Sequence, residues 1–212
     1  MIHIREFKTF IELNKYLYSI LEKALIDNFN FVFTGGGTPV PFYKFLNESK
    51  INLTNGKIFL SDERLNVSLK NTNEYTIINN LKSKNINLIN FFTDSNSVNT
   101  NSISSEFTKL DYFDFTLLGI GEDGHVASIF PNNINLLNSQ KYISLINNSP
   151  KPPINRITMT AKCLKKSKKI VYLINGENKR HIFNNLSNKT NLIYENILGL
   201  DKTYFLYTNE EI

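Results

Sequence analysis

Apolar positions along the chain follow two alternating periods, one typical of buried strands and one typical of amphipathic helices. Short apolar runs such as Asn30–Thr34 and Lys169–Asn175 predict buried strands. Stretches such as Val40–Asn47 carry apolar residues at helical spacing, and Pro39 suits the first turn of a helix. The first thirty residues predict a short strand and then a helix, with apolar residues at helical spacing from Phe7 to Leu25 and Thr9 as a possible cap. The other predicted strands are Lys57–Ser61, Ile86–Phe92, Phe113–Gly119, Tyr142–Ile146, Arg156–Thr160 and Thr203–Tyr207. The other predicted helices are Glu74–Leu81, Ile103–Leu110 and Glu177–Leu186.

Strands separated by helices indicate βαβ units, and hence an α/β fold whose mostly parallel sheet has helices on both faces. No internal repeat is visible, and the polar loop Thr93–Ser102 is too short for a domain linker. We therefore expect a single domain over residues 1–212. In such sheets, ligands bind at the carboxyl ends of the strands.

Composition excludes several classes of protein. The chain has 212 residues with 41% hydrophobic and 20% charged residues, which excludes wholesale disorder. No apolar run approaches the roughly 18 residues of a membrane span, and the N-terminal segment is charged before any apolar stretch, unlike a signal peptide. The lone Cys163 cannot form an internal disulfide. These features predict a cytoplasmic protein that does not enter the membrane.

The net charge of +5 does not by itself indicate a nucleic-acid partner, because no basic stripe is interleaved with stacking aromatic residues. It is compatible with a small anionic substrate. Three histidines and one cysteine show no metal-ligand spacing, so no metal is expected.

The segment Gly35-Gly36-Gly37-Thr38-Pro39 follows one predicted strand and precedes a helix. Gly36 and Gly37 allow the backbone to approach a ligand, and Thr38 offers a hydroxyl at the positive end of the helix dipole. This arrangement predicts a phosphate cradle. The alternative is a tight turn without a ligand, which is disfavoured because the loop holds three of only nine glycines.

The triplet Asp62-Glu63-Arg64 follows the next predicted strand. Asp62 is suited to bind a sugar hydroxyl, and Arg64 is suited to bind a phosphate or carboxylate. Taken alone, such a triplet is equally typical of a surface ion pair.

The segment Gly119–Pro131 contains a literal G-x-G-x-x-G after a strand. A dinucleotide site also requires a carboxylate about 20 residues later, yet no Asp or Glu occurs from Gly124 to Gly176. Nicotinamide binding is therefore rejected. The remaining chemistry is that of His125, which can act as a general base, and of Asp123 two residues earlier, which can orient it.

Two further segments point to anion binding. Ser149–Thr158 holds half of the six prolines and predicts a rigid loop that leads into Arg156. Lys179 falls in the first turn of a predicted helix, where a cation opposes the helix dipole unless an anion lies nearby.

Together these motifs resemble 6-phosphogluconolactonases, which share a superfamily with glucosamine-6-phosphate deaminases. The resemblance spans nearly the whole chain in the family's order. It rests on Gly35–Pro39, Asp62–Arg64 with Asn73, Gly119–Pro131, Ser149–Thr158, and Gly176-Glu177 with Lys179.

The resemblance implies a Rossmann-like fold and hydrolysis of 6-phospho-D-glucono-1,5-lactone to 6-phosphogluconate, a step of the pentose phosphate pathway. It implies that His125 is the catalytic base and that Arg64, Arg156 and Lys179 bind the anionic parts of the substrate. It requires no metal or cofactor, and the expected partner is this small molecule. The sequence does not determine the oligomeric state, for which our expectation is a monomer.

The chain departs from the family pattern at three places. Thr38 stands in place of serine, Thr72-Asn73 in place of Ser-Asn, and Asn191–Tyr194 in place of Leu-Pro-Ala. These changes put the last helix and any oligomer contact in question, but not the site, where Thr38 retains the hydroxyl group.

Two alternatives stay open at this stage. Deaminases usually have a glutamate five residues after the histidine and a tyrosine after Asp-Glu, where this chain has Phe130 and Arg64. A non-catalytic sugar-phosphate-binding protein on the same fold is the second alternative, which the presence of His125 disfavours.

Overall fold

The computed structural model describes residues 1–92, 98, 100–186 and 193–211. Within them, seven strands form a sheet in which every neighbouring pair is parallel. In spatial order these are β1 (Ile2–Phe7), β10 (Lys202–Thr208), β9 (Lys169–Asn175), β6 (Phe115–Gly119), β2 (Asn30–Phe33), β3 (Lys57–Leu60) and β5 (Leu88–Ile89). The prediction of a mostly parallel sheet in an α/β fold is confirmed.

Six α-helices connect these strands within the part of the chain that the structure describes. They are α1 (Phe10–Glu22), α2 (Val40–Glu48), α3 (Asn73–Asn80), α4 (Thr100–Lys109), α5 (Ala161–Leu164) and α6 (Arg180–Asn185). The first and third begin at threonine caps: Thr9 accepts a hydrogen bond from the Glu12 amide (3.2 Å) and Thr72 from the Tyr75 amide (3.0 Å). The predicted helix Glu177–Leu186 is split into a 3₁₀ turn, Glu177–Lys179, and α6.

The core is rich in aromatic side chains. The rings of Phe31, Phe33 and Phe115 pack together along the centre of the parallel sheet. Phe59 on β3 contacts Phe107 on α4, with their ring centroids 5.4 Å apart. Burial of such rings supplies the hydrophobic stabilisation that fixes the sheet and its strand ends.

A second, antiparallel sheet was not predicted. It consists of β4 (Asp62–Arg64), β8 (Arg156–Met159) and β7 (Ile143–Ile146), in that spatial order. The sequence gives no strand signal at β4 because all three of its residues are charged. Its strand conformation comes from pairing with β8, which places Arg64 directly opposite Arg156.

One predicted strand is shorter in the structure, and two predicted segments are described only in part. The strand predicted at Ile86–Phe92 is limited to Leu88–Ile89. The predicted loop Thr93–Ser102 and the segment Asn191–Tyr194 lie partly outside the described residues. Across the described ranges, the longest apolar helical stretches are too short to span a bilayer.

Candidate active site

A cavity of about 260 Å³ lies at the carboxyl ends of the parallel strands. The glycine loop after β2, β4 after β3, the turn after β6 and the turn after β9 all reach it, as expected for a parallel sheet. The predicted residues that line it are Gly36, Thr38, Asp62, Arg64, His125, Arg156 and Lys179. Two predicted residues, Gly37 and Asp123, are not among the lining residues, although Asp123 contacts one of them.

That contact joins Asp123 to His125. Asp123 Oδ1 lies 2.5 Å from His125 Nδ1. The turn that carries both residues is closed by a hydrogen bond from the Gly121 amide to the His125 carbonyl (2.9 Å), and Gly124 takes a positive φ of 81° within it. Because Nδ1 is engaged by the carboxylate, Nε2 is the nitrogen free to exchange a proton with a ligand.

The electrostatic surroundings favour the reactive charge state of this pair. Burial lowers the pKa of His125 below its ordinary value, and Lys151 lowers it further, against the opposing effect of Asp123. Burial alone would raise the pKa of Asp123, but its contact with His125 and the charge of Lys151 bring that pKa below the usual range. Near neutral pH, His125 is therefore neutral and Asp123 ionised, which is the state required of a general base and its orienting carboxylate.

Phe130 packs beneath the histidine. Its side chain is fully buried, and the centroids of the His125 and Phe130 rings are 4.5 Å apart. The Arg156 guanidinium lies 5.3 Å from the centre of the same ring. The phenylalanine thus supports two cavity residues by packing, and it supplies no group that relays protons.

Asp62 is buried at the wall of the cavity. Its carboxylate accepts hydrogen bonds from the Ser128 hydroxyl (2.6 Å), the Ser61 hydroxyl (3.0 Å) and the Asn73 side-chain amide (3.2 Å). These contacts hold the carboxylate in a fixed orientation, in which it can accept a further hydrogen bond from a ligand hydroxyl.

Glu63, the middle residue of the charged triplet, points away from the cavity and is fully buried. Burial raises its pKa to about 7, although backbone amides oppose that effect. Its carboxylate accepts from the amides of Asn73 (2.7 Å), Arg64 (2.6 Å) and Glu74 (2.8 Å). Glu63 therefore joins β4 to the start of α3.

Four cations line the cavity, namely Arg64, Lys151, Arg156 and Lys179. Arg64 uses Nη1 to donate to the Asn71 carbonyl (3.1 Å), while its Nη2 lies over Gly36 of the glycine loop. The Lys179 ammonium is 3.3 Å from the Thr38 hydroxyl, and burial lowers its pKa. Like charges placed this close repel one another, so the arrangement suits an anionic ligand.

Arg156 is more heavily engaged than a residue that only binds a ligand. Its Nε donates to the Pro153 carbonyl (3.0 Å), its Nη2 to the Lys151 and Pro152 carbonyls (3.1 Å each), and its Nη1 to the Ser128 hydroxyl (3.4 Å). Of the five guanidinium protons, one on Nη1 is left for the cavity.

No site role was assigned to Lys151 or Asn73 from the sequence, although both line the cavity. Lys151 lines the cavity, and its ammonium is 3.3 Å from Asp123 Oδ1. Asn73 donates to the Asp62 carbonyl (2.9 Å) and packs its side chain against Gly35, where a Cβ atom would come within 2.2 Å of it. The signal for Lys151 was its place between Pro150 and Pro152.

No group of three His, Cys, Asp or Glu side chains in the described part of the chain is arranged to hold a metal ion. The cavity is therefore assembled from hydrogen-bond donors, carboxylates and cations of the protein itself.

Comparisons with known proteins agree with these features. The family model for glucosamine-6-phosphate isomerases/6-phosphogluconolactonase matches residues 8–193. A putative 6-phosphogluconolactonase of Caenorhabditis elegans is 31% identical over 192 residues, which cover 81% of this chain and 71% of the relative. The 6-phosphogluconolactonase of Thermotoga maritima is 29% identical over 179 residues, which cover 81% of this chain and 80% of that protein.

Solved structures of 6-phosphogluconolactonases are also similar to this chain. The crystal structure of the Thermotoga maritima 6-phosphogluconolactonase matches with a TM-score of 0.86 and 26% identity, over 98% of this chain and all (100%) of that one. The Trypanosoma brucei 6-phosphogluconolactonase matches in fold with a TM-score of 0.80 at 21% identity, over 99% of this chain and 97% of that one.

Proposed function

The chain belongs to the family of glucosamine-6-phosphate isomerases and 6-phosphogluconolactonases, and from this we propose that it hydrolyses 6-phospho-D-glucono-1,5-lactone to 6-phosphogluconate. The observation that carries the proposal is the His125–Asp123 pair at a cavity lined by four cations. A base beside an anion-binding cavity is what water addition to a phosphorylated lactone requires.

In this reaction, His125 Nε2 removes a proton from a water molecule while Nδ1 donates to Asp123. The oxygen of that water forms a bond to the lactone carbonyl carbon, and the carbonyl electrons move onto its oxygen. Donors of the cavity stabilise this oxyanion. When the oxyanion collapses, the bond to the ring oxygen breaks, and His125 returns its proton to that oxygen.

Binding of the substrate follows from the cavity wall. Within the glycine loop, Thr38 contacts Lys179 and Gly36 lies beside Arg64, and these two cations form the cationic side of the cavity. Gly37 belongs to the same loop and supports its backbone conformation. Asp62 supplies an acceptor for a sugar hydroxyl. All these groups come from one chain, so a single copy forms this cavity wall. We further propose that the enzyme acts as a monomer in the cytoplasm and needs no cofactor.

An assay of both family activities tests the proposal. Purified protein is mixed with fresh lactone, and hydrolysis is followed with the spontaneous rate subtracted; a parallel reaction measures ammonia release from glucosamine 6-phosphate. We expect accelerated lactone hydrolysis and no ammonia at any pH between about 6 and 9, a range that covers the neutral form of a histidine base. Ammonia release is not expected because the buried Phe130 ring cannot relay protons. Ammonia release at a comparable rate would establish the deaminase instead, and binding without turnover would establish a sugar-phosphate-binding protein.

The two cavity arginines have different expected effects when they are removed. Arg64→Ala removes a charge-assisted contact to the substrate, which is worth about 1.5–3 kcal/mol, so KM rises about tenfold or more with little change in melting temperature. Arg156→Ala raises KM and also lowers the melting temperature, because the Pro152 and Pro153 carbonyls lose their side-chain donor and the Lys151 carbonyl loses one of two.

Steady-state kinetics and thermal melts with 6-phosphogluconate measure both effects. Arg180→Ala is the matched control, since Arg180 pairs with Glu6 at the surface (2.7 Å) and lies outside the cavity lining. The product stabilises the wild type and Arg180→Ala by mass action. Equal stabilisation of Arg64→Ala would contradict the role of Arg64.

A further inference from the structure

One carboxylate oxygen of Asp123 contacts two other charged or titratable side chains, both of which line the cavity. Asp123 Oδ1 contacts His125 Nδ1 at 2.5 Å and the Lys151 ammonium at 3.3 Å. Lys151 lies 28 positions away from Asp123 along the chain and belongs to a different loop. The contact therefore depends on how that loop is held.

The backbone around Lys151 is fixed from several sides. Arg156 Nη2 and the Ser149 hydroxyl both donate to the Lys151 carbonyl, at 3.1 and 2.8 Å. The Lys151 amide in turn lies 3.3 Å from the Ser149 hydroxyl oxygen. Exposed lysine–carboxylate pairs generally contribute little, because ordering two flexible side chains costs entropy. Here the hydrogen bonds fix the loop backbone, so the contact with Asp123 has to order only the side chains of the pair.

We propose that Lys151 is a positioning residue for the lactone hydrolysis proposed above: it holds the Asp123 carboxylate so that His125 presents Nε2 to the substrate in the neutral state. Arg156 serves the same end by holding the loop that carries Lys151. The kinetic test of this inference rests on the proposed function. The contacts of Asp123 with His125 and Lys151 are independent of that function.

The charges around His125 support this role. Asp123 on its own turn and Asp62 on β4 both raise the pKa of His125, whereas Lys151 lowers it. Lys179, Glu122 and Arg156 are the other charged groups of this part of the cavity. When Lys151 is removed, its positive charge no longer offsets the effect of the two carboxylates, so the pKa of His125 rises. The base is then protonated over a wider acidic range, and activity is lost first at low pH.

The test compares Lys151→Gln and Lys151→Arg with the wild type in kcat/KM from about pH 5.5 to 8.5, with spontaneous hydrolysis subtracted. We expect Lys151→Gln to lose activity at least about threefold more at pH 6 than at pH 8, because each unit of pKa shift is a tenfold change in protonation. Lys151→Arg keeps the positive charge, so we expect it to retain most of the wild-type dependence of kcat/KM on pH. Lys162→Gln is the matched control, since Lys162 binds the Gln140 carbonyl at the surface, and its profile coincides with that of the wild type.

A second readout does not require activity. NMR titration of the histidine ring protons, with the His125 signals assigned by their loss in His125→Gln, reports the His125 midpoint directly. The midpoint moves to higher pH in Lys151→Gln and stays in place in Lys162→Gln. An unchanged midpoint, or an equal loss of kcat/KM at every pH, would overturn the role of Lys151. A shifted midpoint in a protein without lactonase activity would overturn the proposed function alone.

Discussion

Replacing His125 by alanine will lower kcat for lactone hydrolysis by about 10²–10⁴-fold, the usual contribution of a general base. His125 is the histidine that lines the cavity, and its Nδ1 is engaged by Asp123 at 2.5 Å. Phe130, which packs against the histidine ring, is apolar and cannot take over the proton transfer. The measurement is kcat and KM for fresh lactone at several pH values, with the spontaneous rate subtracted.

The control for this variant is His181→Ala. His181 is exposed on α6, so its removal is expected to leave both kcat and KM as they are in the wild type. Circular dichroism and thermal melts of both variants check that the fold is retained. Wild-type turnover in a folded His125→Ala protein would rule out His125 as the base.

Gly121→Ala will lower kcat about 10²-fold, because it displaces the His125 and Asp123 side chains without removing either of them. A Cβ atom at Gly121 would lie 2.1 Å from both Cε1 and Nδ1 of His125 and 2.8 Å from Asp123 Oδ1. The histidine ring therefore has to shift, and a displacement of about 1 Å from the reactive geometry costs about this factor. The same kinetic assay measures the loss, and NMR of the His125 ring reports the displacement.

Gly119→Ala is the matched control for that substitution. A Cβ atom added at Gly119 would lie 3.5 Å from Thr38, which is an ordinary van der Waals distance. We therefore expect only a small part of the decrease in kcat that Gly121→Ala causes. If Gly121→Ala and Gly119→Ala have the same kcat, the geometry of the His125–Asp123 pair does not limit the reaction.

Much of the fold and of the cavity follows from local patterns in the sequence. Apolar runs such as Lys169–Asn175 mark the parallel strands, and the motifs after them meet because parallel strands end at one edge. That reasoning brings Thr38, Arg64, His125 and Lys179 to one cavity, as the structure has them.

The small antiparallel sheet and its consequences do not follow from local patterns. Asp62–Arg64 is a strand only because β8, far along the chain, pairs with it. Glu63 is a charged residue in a charged triplet, yet it is fully buried because backbone amides of α3 satisfy it. The contact between Lys151 and Asp123 likewise depends on two loops meeting in space. Each of these features is set by tertiary pairing, which local periodicity does not encode.

The pairing of β1 with β10 also has a consequence for synthesis on the ribosome. Ile2 lies opposite Thr203 and Phe7 lies opposite Thr208. The ribosome therefore synthesises β10, the partner of β1, only after nearly all of the described residues. Until then β1 has no strand partner, and strands without partners are prone to aggregate. We expect the β2–β3–β6 part of the sheet, whose strands lie closer together along the chain, to form before β1 docks.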